Sequence, residues 1–374
     1  MQLALLLYEA FALLVFAFLM ALDLSNFRTS RKAKNAEYPS FDPKALVIVP
    51  CKGEDLTLRE NLISIKSQDY KNYNAVAVID SKDDKALDSI KSAGISFILS
   101  NSLCSNCSGK VRAIATAIEK FPDYGVYIIA DSDISVDKEW LSRIASPLQD
   151  KGVGISTMFP YFNPVSGFWS KVKLVWGFVG ESLMRSERTR FGWGGSLAFR
   201  RSLIEDSMDL FKNSDFSVSD DITLTKLCRK KGLSIAYTKE SQPRVNCKES
   251  LESLREWSNR QTALSVLGYK KNLYMGLIFY SAEIVTLLSS VILSITISPL
   301  FLILLLHFGF SLIKTYKRAS RLDPEIALIT ALMPFLYLSN LIIANRMESI
   351  TWRGREYKLK GQVGLEKNAG SSEI

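Results

Sequence analysis

Long apolar segments at the two ends of the chain constrain its fold more than any other feature. Residues 3–24 carry only Glu9 and Asp23 as charged side chains, and about 20 apolar residues span a bilayer. Because no Lys or Arg precedes this segment, we interpret it as an uncleaved anchor rather than a signal peptide. The basic residues that follow it are Arg28, Arg31, Lys32 and Lys34. By the positive-inside rule they place the N-terminus outside and the next domain in the cytoplasm.

The C-terminal third contains three more apolar segments. Residues 273–293 and 295–313 predict two spans that meet near Pro299, and residues 326–344 form a third segment that Pro334 interrupts. The basic residues after the second segment are Lys314, Lys317, Arg318 and Arg321, and those after the third are Arg346, Arg353, Arg355, Lys358 and Lys360. Both flanks of the third segment therefore favour the inner side. We interpret it as re-entrant or interfacial, with a true span as the close alternative.

Charge and cysteine content narrow the partners. The net charge of +9, on a chain with apolar spans, indicates anionic lipid headgroups and phosphate ligands. No nucleic-acid-binding motif is present, so nucleic acid is not an expected partner. The five cysteines do not form a disulfide framework, which favours a reducing compartment. Cys104 and Cys107 form a lone Cys-x-x-Cys, which we interpret as two unrelated loop cysteines because a zinc site normally needs four ligands.

Residues 42–268 predict a soluble α/β domain. Short β-branched runs at residues 45–49, 75–79, 95–99 and 126–130 alternate with helical segments. This alternation predicts a mostly parallel sheet with helices on both faces. Ligands of such sheets bind beyond the carboxyl ends of the strands, where Asp80 and Asp131 fall.

An aromatic-rich helix is predicted within this domain, at residues 165–183. Its aromatic side chains recur near helical spacing with lysines between them. The pattern suits either a helix at the membrane interface or one that faces the protein core.

Three polar groups are candidates for chemistry. Asp131 and Asp133, in an Asp-Ser-Asp sequence after a strand, can hold Mg²⁺ or Mn²⁺, although aspartates at strand ends are also common turn residues. Asp220-Asp221 precedes a helical run and is either a general base or a complement to the helix N-terminus. Trp257 and Arg260 offer a stacking face and a fork for a diphosphate, or they belong to an ordinary surface helix.

In order along the chain, these features resemble the glycosyltransferases of families 2 and 21, and ceramide glucosyltransferases most closely. The segments that carry the resemblance are Pro50-Cys51-Lys52-Gly53, Asn61-Leu62, Gln68-Asp69-Tyr70, Tyr73, Asp80 with Asp83-Asp84, Gly109-Lys110, Asp131-Ser132-Asp133-Ile134, Trp140-Leu141, Pro147-Leu148, Gly194-Gly195-Ser196, Phe199-Arg200-Arg201, Asp220-Asp221 and Trp352-Arg353-Gly354-Arg355 with Tyr357.

The chain departs from this family pattern at one motif. The family's arginine-tryptophan motif carries Gln or Arg four residues before its tryptophan, and Arg directly before it. Here Ser253 and Glu256 occupy those positions, and only Trp257 is retained, with Arg255 and Arg260 as candidate substitutes.

The resemblance implies the GT-A nucleotide-sugar-binding fold and assigns a role to each site residue. Pro50, Lys52, Asp80, Lys110 and Asp131 would bind the donor, and Asp133 would hold Mg²⁺ or Mn²⁺. Asp221 would be the general base, with Asp220 in support. The residues expected to contact the acceptor and the diphosphate are Gly194, Gly195, Trp257 and Arg260.

The resulting hypothesis is an inverting glycosyltransferase in the cell membrane. It would move a sugar, glucose by resemblance, from a UDP-linked donor to a hydroxyl of a membrane lipid. The alternatives are a processive polysaccharide synthase of the same superfamily and an inactive protein that binds nucleotide-sugar. The expected parts are an anchor (1–26), the GT-A domain (42–268), membrane segments (273–345) and a basic cytoplasmic tail (346–374).

Overall fold

The computed structural model describes residues 2–32, 41–104, 107–214, 218–320 and 323–359, with the backbone alone for residues 25–32. Lys34, Arg321, Lys360 and the rest of the expected tail lie outside these residues, as do the side chains of Arg28, Arg31 and Lys32.

The chain divides into two compact units. The helical unit comprises Met1–Lys34, Ser166–Phe178 and Glu249–Met347, and the α/β unit comprises Asn35–Val165, Val179–Lys248 and Glu348–Ile374. The division does not follow the linear order expected from the sequence. Residues 249–268 group with the apolar helices, and the described residues of the expected tail group largely with the α/β unit.

The α/β unit contains all twelve strands of the described residues. They are β1 (Ala45–Pro50), β2 (Tyr73–Ile79), β3 (Ser96–Leu99), β4 (Val126–Ala130), β5 (Ile134–Ser135), β6 (Val153–Thr157), β7 (Tyr161–Pro164), β8 (Ser196–Arg200), β9 (Ser234–Tyr237), β10 (Arg244–Cys247), β11 (Ser349–Trp352) and β12 (Arg355–Lys358). Its helices are α2 (Leu58–Lys66), α3 (Ala86–Ala93), α4 (Gly109–Lys120), α5 (Trp140–Ala145), α7 (Arg201–Ile204), α8 (Met208–Asn213) and α9 (Asp220–Lys230). Helix α6 (Phe168–Met184) begins in the helical unit and ends in this one.

A seven-stranded sheet forms the centre of the α/β unit, in the order β3-β2-β1-β4-β8-β6-β9. The pairs among β3, β2, β1 and β4 are parallel, as is β6 with β9. The predicted mostly parallel α/β fold is therefore confirmed. Strand β8 was not predicted, and it runs antiparallel to both β4 and β6.

The antiparallel strand β8 brings a loop to the ligand-binding edge of the sheet. Because β8 runs opposite to β4, the residues before its start lie beside the residues after the end of β4. Asp131 accordingly donates its backbone N–H to the carbonyl of Gly195, at 3.1 Å. The local signals of the sequence mark this stretch only as a glycine loop.

Side-chain caps fix where two helices begin at that edge. Ser108 accepts from the N–H of Val111 at the start of α4, and Ser219 accepts from Ile222 at the start of α9. Such caps satisfy N–H groups that have no partner in the first helical turn. Both helix N-termini supply residues to the cluster described below.

The helical unit consists of α1 (Gln2–Lys32), the first part of α6, α10 (Leu251–Gly268), α11 (Lys271–Thr296), α12 (Leu306–Ala319) and α13 (Pro324–Ala344). A 3₁₀ turn, Pro299–Leu305, leads into α12. Within the described residues, four helices are long and apolar enough to cross a membrane: 2–24, 271–296, 299–319 and 324–344. Helix α13 is continuous through Pro334, so its length satisfies the alternative of a true span as well.

Polar side chains cluster among these apolar helices. His307 of α12 lies 2.9 Å from Asp23 of α1 and 3.0 Å from Glu283 of α11, and Lys314 also pairs with Asp23. Ionisable groups among apolar helices persist when they pair with one another. This cluster therefore ties α1 to α11 and α12.

The first part of α6 buries its aromatic face. The indole N–H of Trp176 donates to Asn340 of α13 at 3.0 Å, and its ring contacts Trp257 of α10 with centroids 4.7 Å apart. Lys171 pairs with Asp323 and Glu325 of α13. These contacts favour the alternative in which this helix faces the protein core.

The interpretation of Cys104 and Cys107 as unrelated cysteines was wrong. Their sulfur atoms form a disulfide. The spacing of three residues is compatible with such a bond, but the sequence carried no signal that distinguished it. Cys51, Cys228 and Cys247 are buried thiols.

Gln68 joins two helices behind the metal-binding turn expected from the sequence, and its replacement tests the fold. Its amide donates to the carbonyls of Ser64 and Asp137, both at 2.8 Å, and accepts from the N–H of Leu141 at 2.9 Å. Because Gln68→Leu leaves these groups without partners, we expect a loss of about 2–4 kcal/mol in the free energy of unfolding. The measurement is chemical or thermal unfolding of the α/β unit in the detergent-solubilised chain.

The control is the neighbouring Asp69→Asn, because the Asp69 side chain is exposed. Its expected change is within about 0.5 kcal/mol. Equal stability of the Gln68→Leu variant and the wild type would contradict the assigned role.

Candidate active site

The carboxyl ends of three neighbouring parallel strands define one edge of the sheet. Strand β1 ends at Pro50, β2 is followed by Asp80, and β4 is followed by Asp131. Parallel pairing places these three ends side by side. The structure therefore brings together the residues that strand endings alone had indicated.

Lys110 lies at the centre of the carboxylate cluster. Its ammonium group is 2.7 Å from Asp131 and 3.3 Å from Asp220, and it donates to the carbonyl of Gly194 at 3.2 Å. The Lys110 side chain is only 9% exposed. One buried cation thus joins the end of β4, the start of α9 and the loop before β8.

This cluster raises the pKa of both buried partners. Burial, together with the charges of Asp221 and Asp131, raises the pKa of Asp220 to about 7, although Lys110 acts in the opposite direction. Burial alone would lower the pKa of Lys110, but the charges of Asp131 and Asp220 outweigh it and the pKa is raised. Lys110 therefore stays charged at neutral pH.

The two adjacent aspartates occupy different environments. Asp220 is 3% exposed, whereas Asp221 is partly exposed. One oxygen of Asp221 accepts from Ser219 and from the N–H of Ile222, and the other lies 3.4 Å from the N–H of Gly194. Only Asp221 is open enough for an incoming hydroxyl to reach.

Gly194 is required by close packing at this cluster. A Cβ atom here would lie 2.5 Å from the Asp220 carboxylate and 2.9 Å from the Lys110 ammonium. Both neighbours are buried and paired, so neither can move away cheaply. A side chain at this position would separate the lysine from its carboxylates.

The Asp131-Ser132-Asp133 turn is held from the side by α2. The amide of Asn61 donates to the carbonyl of Ser132 at 3.0 Å. The Ser132 hydroxyl bonds to Asp55. Asp133, the last residue of this turn, is partly exposed.

The donor set at this turn fits a metal that arrives with its own phosphate ligands. Among the described side chains, no three carboxylates, imidazoles or thiols gather into a metal cage. Mg²⁺ typically takes one or two carboxylates and completes its shell with phosphate oxygens and water. A single oxygen donor such as Asp133 meets that requirement.

Asp80 is surrounded by cations. Arg112 lies 2.8 Å away, Arg355 3.0 Å and Lys52 3.6 Å. Burial raises the pKa of Asp80, but the hydrogen bond from Arg112 and the charges of Arg355 and Lys52 outweigh it and hold the pKa below its usual range. Asp80 is therefore an anion within a basic shell.

An open pocket adjoins the loop after β1. It has a volume of about 400 Å³ and is lined by Lys52, Gly53, Asp83, Asp84, Lys85 and Arg353. The Gly53 N–H donates to Asp84 at 2.9 Å, which ties the two sides of the pocket together. Arg353 comes from the hairpin of β11 and β12, almost 300 residues further along the chain, and pairs with Asp55.

Trp257 and Arg260 belong to α10 of the helical unit, whereas the other expected site residues all lie in the α/β unit. Trp257 contacts Trp176, and the Lys173 ammonium lies 4.6 Å from its ring centroid. The Ser253 that replaces the family's Gln or Arg completes a capping box with Ser250. The motif position therefore serves the start of a helix here.

Sequence reasoning missed three residues of the site. Arg112 and Arg355 on Asp80, and Asp55 beside the Asp131–Asp133 turn, were not among the expected site residues. Arg355 and Arg353 stood in a motif that carried the family resemblance, which was the available signal. No local pattern linked that motif to the strand ends.

Comparison with known proteins places this geometry in a family. The model of "Glycosyl transferase family 21" matches residues 12–363. A search of curated protein sequences finds no match.

A solved mannosyltransferase structure shares the fold. A mannosyltransferase of Pyrobaculum calidifontis, solved with GDP-Man and Mn²⁺, is similar with a TM-score of 0.57 and 18% identity over 90% of this chain and 97% of that one. A glucosyl-3-phosphoglycerate synthase of Mycobacterium tuberculosis, solved with phosphoglyceric acid, gives a TM-score of 0.43 and 15% identity over 60% of this chain and 80% of that one.

The family match covers most of the chain, and the fold and the ordered aspartate motifs agree with it. The chain belongs to glycosyl transferase family 21 and is a glycosyltransferase.

Proposed function

We propose that this glycosyltransferase moves a hexose, glucose in the first instance, from a UDP-linked donor to a hydroxyl of a membrane lipid, with inversion at the anomeric carbon. The observation that carries the proposal is the Lys110 cluster. It joins Asp131, expected at the donor sugar, to Asp220-Asp221, expected at the acceptor. One buried cation thereby contacts residues assigned to the donor side and to the acceptor side of the transfer.

In this mechanism Asp221 accepts the proton of the acceptor hydroxyl. Its partial exposure and its second oxygen near the Gly194 N–H support that role. Asp220 stays buried, and with Lys110 it fixes the start of α9 that carries Asp221. Direct displacement by the activated hydroxyl inverts the configuration of the sugar.

Donor binding is assigned to the basic edge of the sheet. Lys52, Arg112 and Arg355 surround Asp80 and offer donors to a nucleotide. Asp133 would hold Mg²⁺ or Mn²⁺, which stabilises charge on the departing diphosphate when bound. The solved mannosyltransferase of the same fold contains Mn²⁺.

The lipid acceptor is inferred from the apolar helices of the chain. Within the residues that the structure describes, four helices are long and apolar enough to cross a membrane. An enzyme anchored in this way meets lipid hydroxyls at the membrane surface. The cytoplasmic placement of the α/β unit follows from the basic residues after the first helix.

The C-terminal hairpin restricts how often the chain crosses the membrane. Residues 348–359 belong to the same compact unit as residues 41–165, so both lie on one side. The chain between residues 249 and 347 must then cross an even number of times, although it holds three candidate helices. At most two of them cross completely.

Helix α13 is the one that we propose does not cross. Lys171 of α6 pairs with Asp323 and Glu325 at the start of α13, and Trp176 of α6 bonds to Asn340 near its end. Contacts with α6 therefore hold α13 near both of its ends. Basic residues on both flanks give the same indication.

The base assignment is tested by amide substitutions in the aspartate pair. Asp221→Asn keeps the shape of the side chain but removes its basicity, so transfer should fall by about 100-fold or more. Asp220→Asn should reduce transfer less, because it does not touch the acceptor. The measurement is the rate of lipid glycosylation, with donor binding measured in parallel and expected to persist.

The matched control is Asp206→Asn, an exposed carboxylate away from the cluster. A larger loss in Asp220→Asn than in Asp221→Asn would reverse the assignment within the pair. Near-normal transfer in both variants would move the base elsewhere.

The metal assignment is tested by titration. Transfer should stop in excess chelator and return on addition of Mn²⁺ or Mg²⁺. In Asp133→Asn the metal concentration that gives half-maximal rate should rise by about tenfold or more, as expected for the loss of one charged ligand. Glu139→Gln, an exposed carboxylate nearby, is the control, and full activity in chelator would remove Asp133 from this role.

The topology is tested by cysteine labelling of intact cells with an impermeant reagent. Lys358→Cys, in the hairpin after α13, should react only after the cells are permeabilised. Thr296→Cys, at the C-terminal end of α11, should react from outside. Both positions are exposed in the structure. Reaction of the cysteine at 358 in intact cells would show that α13 crosses the membrane.

A further inference from the structure

The C-terminal hairpin reaches the donor edge of the α/β unit at three points. Arg355 lies 3.0 Å from Asp80, the N–H of Gly109 donates to the hydroxyl of Tyr357 at 3.3 Å, and Arg353 pairs with Asp55. Ile350, 2% exposed, and Leu359, fully buried, anchor its two strands. The hairpin is therefore a built part of this edge.

The turn of the hairpin places Arg353 at its tip. Arg353 and Gly354 have φ values of 51° and 73°, as in the tight two-residue turns that match the twist of paired strands. Arg353 is a non-glycine residue in this unfavourable conformation. Arg353 thus lies at the tip of the hairpin, where it lines the 400 Å³ pocket with Lys52 and Lys85.

Arg353 also lies within electrostatic reach of the Asp131-Ser132-Asp133 turn. The charges of Asp133 and Asp131 both act on its guanidinium group, in addition to its partner Asp55. Asp55 in turn bonds to the hydroxyl of Ser132 in the same turn. The arginine is thus placed between the pocket and the expected metal ligand.

Two positions of the arginine-tryptophan motif carry other residues in this chain, with Arg255 and Arg260 as candidate substitutes. Ser253 at one motif position serves the cap of α10, and the residue directly before Trp257 is the exposed Glu256. A diphosphate needs donors that neutralise its charge, and a guanidinium fork suits phosphate oxygens well. Arg353 offers such a fork at the pocket.

We propose that Arg353, which lines the pocket and pairs with Asp55, binds the diphosphate of the donor. Before the donor binds, Asp55 holds the guanidinium group in position at the pocket. When the donor binds, N–H groups of the same guanidinium group donate to the diphosphate oxygens. This inference rests on the proposed nucleotide-sugar donor, and it assigns the hairpin tip to its diphosphate.

The experiment measures equilibrium binding of UDP, UMP, GDP and GMP to the full chain in detergent with Mn²⁺. Arg353→Ala should weaken binding of the preferred nucleoside diphosphate by about 10- to 100-fold, the range expected for a hydrogen bond to a charged group. Binding of the matching monophosphate should change less than about threefold. Arg353→Lys keeps the charge and should recover part of the affinity.

The control is Lys358→Ala, which removes a cation from the same hairpin at an exposed position. Its affinity for every nucleotide should equal that of the wild type. Thermal unfolding of each variant checks that the hairpin still folds.

Three results would overturn the proposal. If Arg353→Ala binds the diphosphate as tightly as the wild type, the arginine is no ligand. If it weakens monophosphate and diphosphate equally, the hairpin only supports the fold. In both cases, nucleotide binding by the wild type leaves the proposed function intact. If the wild type binds no nucleotide, the proposed function and the role of Arg353 are both overturned.

Discussion

The candidate active site depends on the ion pairs that the buried ammonium group of Lys110 makes with Asp131 and Asp220. Removing one partner from a buried ion cluster leaves a charge without compensation, which typically costs about 3–5 kcal/mol. The cluster is also costly as it stands. The folded pKa of Asp220, about 7, exceeds its unfolded value of about 3.9, so the folded state favours the protonated form. The stabilisation from that proton is complete below about pH 4 and is lost as pH rises toward 7. At neutral pH the ionised form of Asp220 is therefore less favourable in the folded protein than in the unfolded chain, and the rest of the fold must offset this cost.

The sheet topology explains how residues from distant parts of the sequence reach this cation. The parallel strands β1, β2 and β4 place their carboxyl ends together, which accounts for Pro50, Asp80 and Asp131. Antiparallel β8 then returns the chain to the same edge and delivers Gly194. Helix α4 supplies Lys110 from its first turn, and α9 supplies Asp220 from its first position. Three strand ends, one strand start and two helix starts thus lie together at this edge, where a helix N-terminus also favours anions.

The residues that sequence could predict are those with local signals. A β-branched run that stops at an aspartate marks a strand end, and Asp80 and Asp131 were found in this way. Lys110 was assigned to the donor by resemblance, but its bridge to Asp220 depends on the relative positions of α4 and α9, which no local pattern encodes. Arg353 and Asp55 are 298 residues apart in the sequence, so their pairing could not be predicted from spacing. The disulfide between Cys104 and Cys107 and strand β8 were missed for a related reason, because loop conformation and pairing order are decided by the folded core.

The charges at this edge give a physical reason for a metal-dependent donor site. Lys110 is already shared by Asp131 and Asp220, Arg353 by Asp55 and the aspartate turn, and Arg112 and Arg355 by Asp80. A diphosphate that enters this edge must compete with those carboxylates for the same cations. In the proposed donor site, Asp133 would hold a divalent ion that offsets the charge of the diphosphate, so this carboxylate would act as a ligand rather than repel the phosphate oxygens. On the proposed mechanism, the carboxylates at the strand ends thus select for a metal-bound diphosphate against a bare one, and an arginine at the hairpin tip supplies donors that the metal does not.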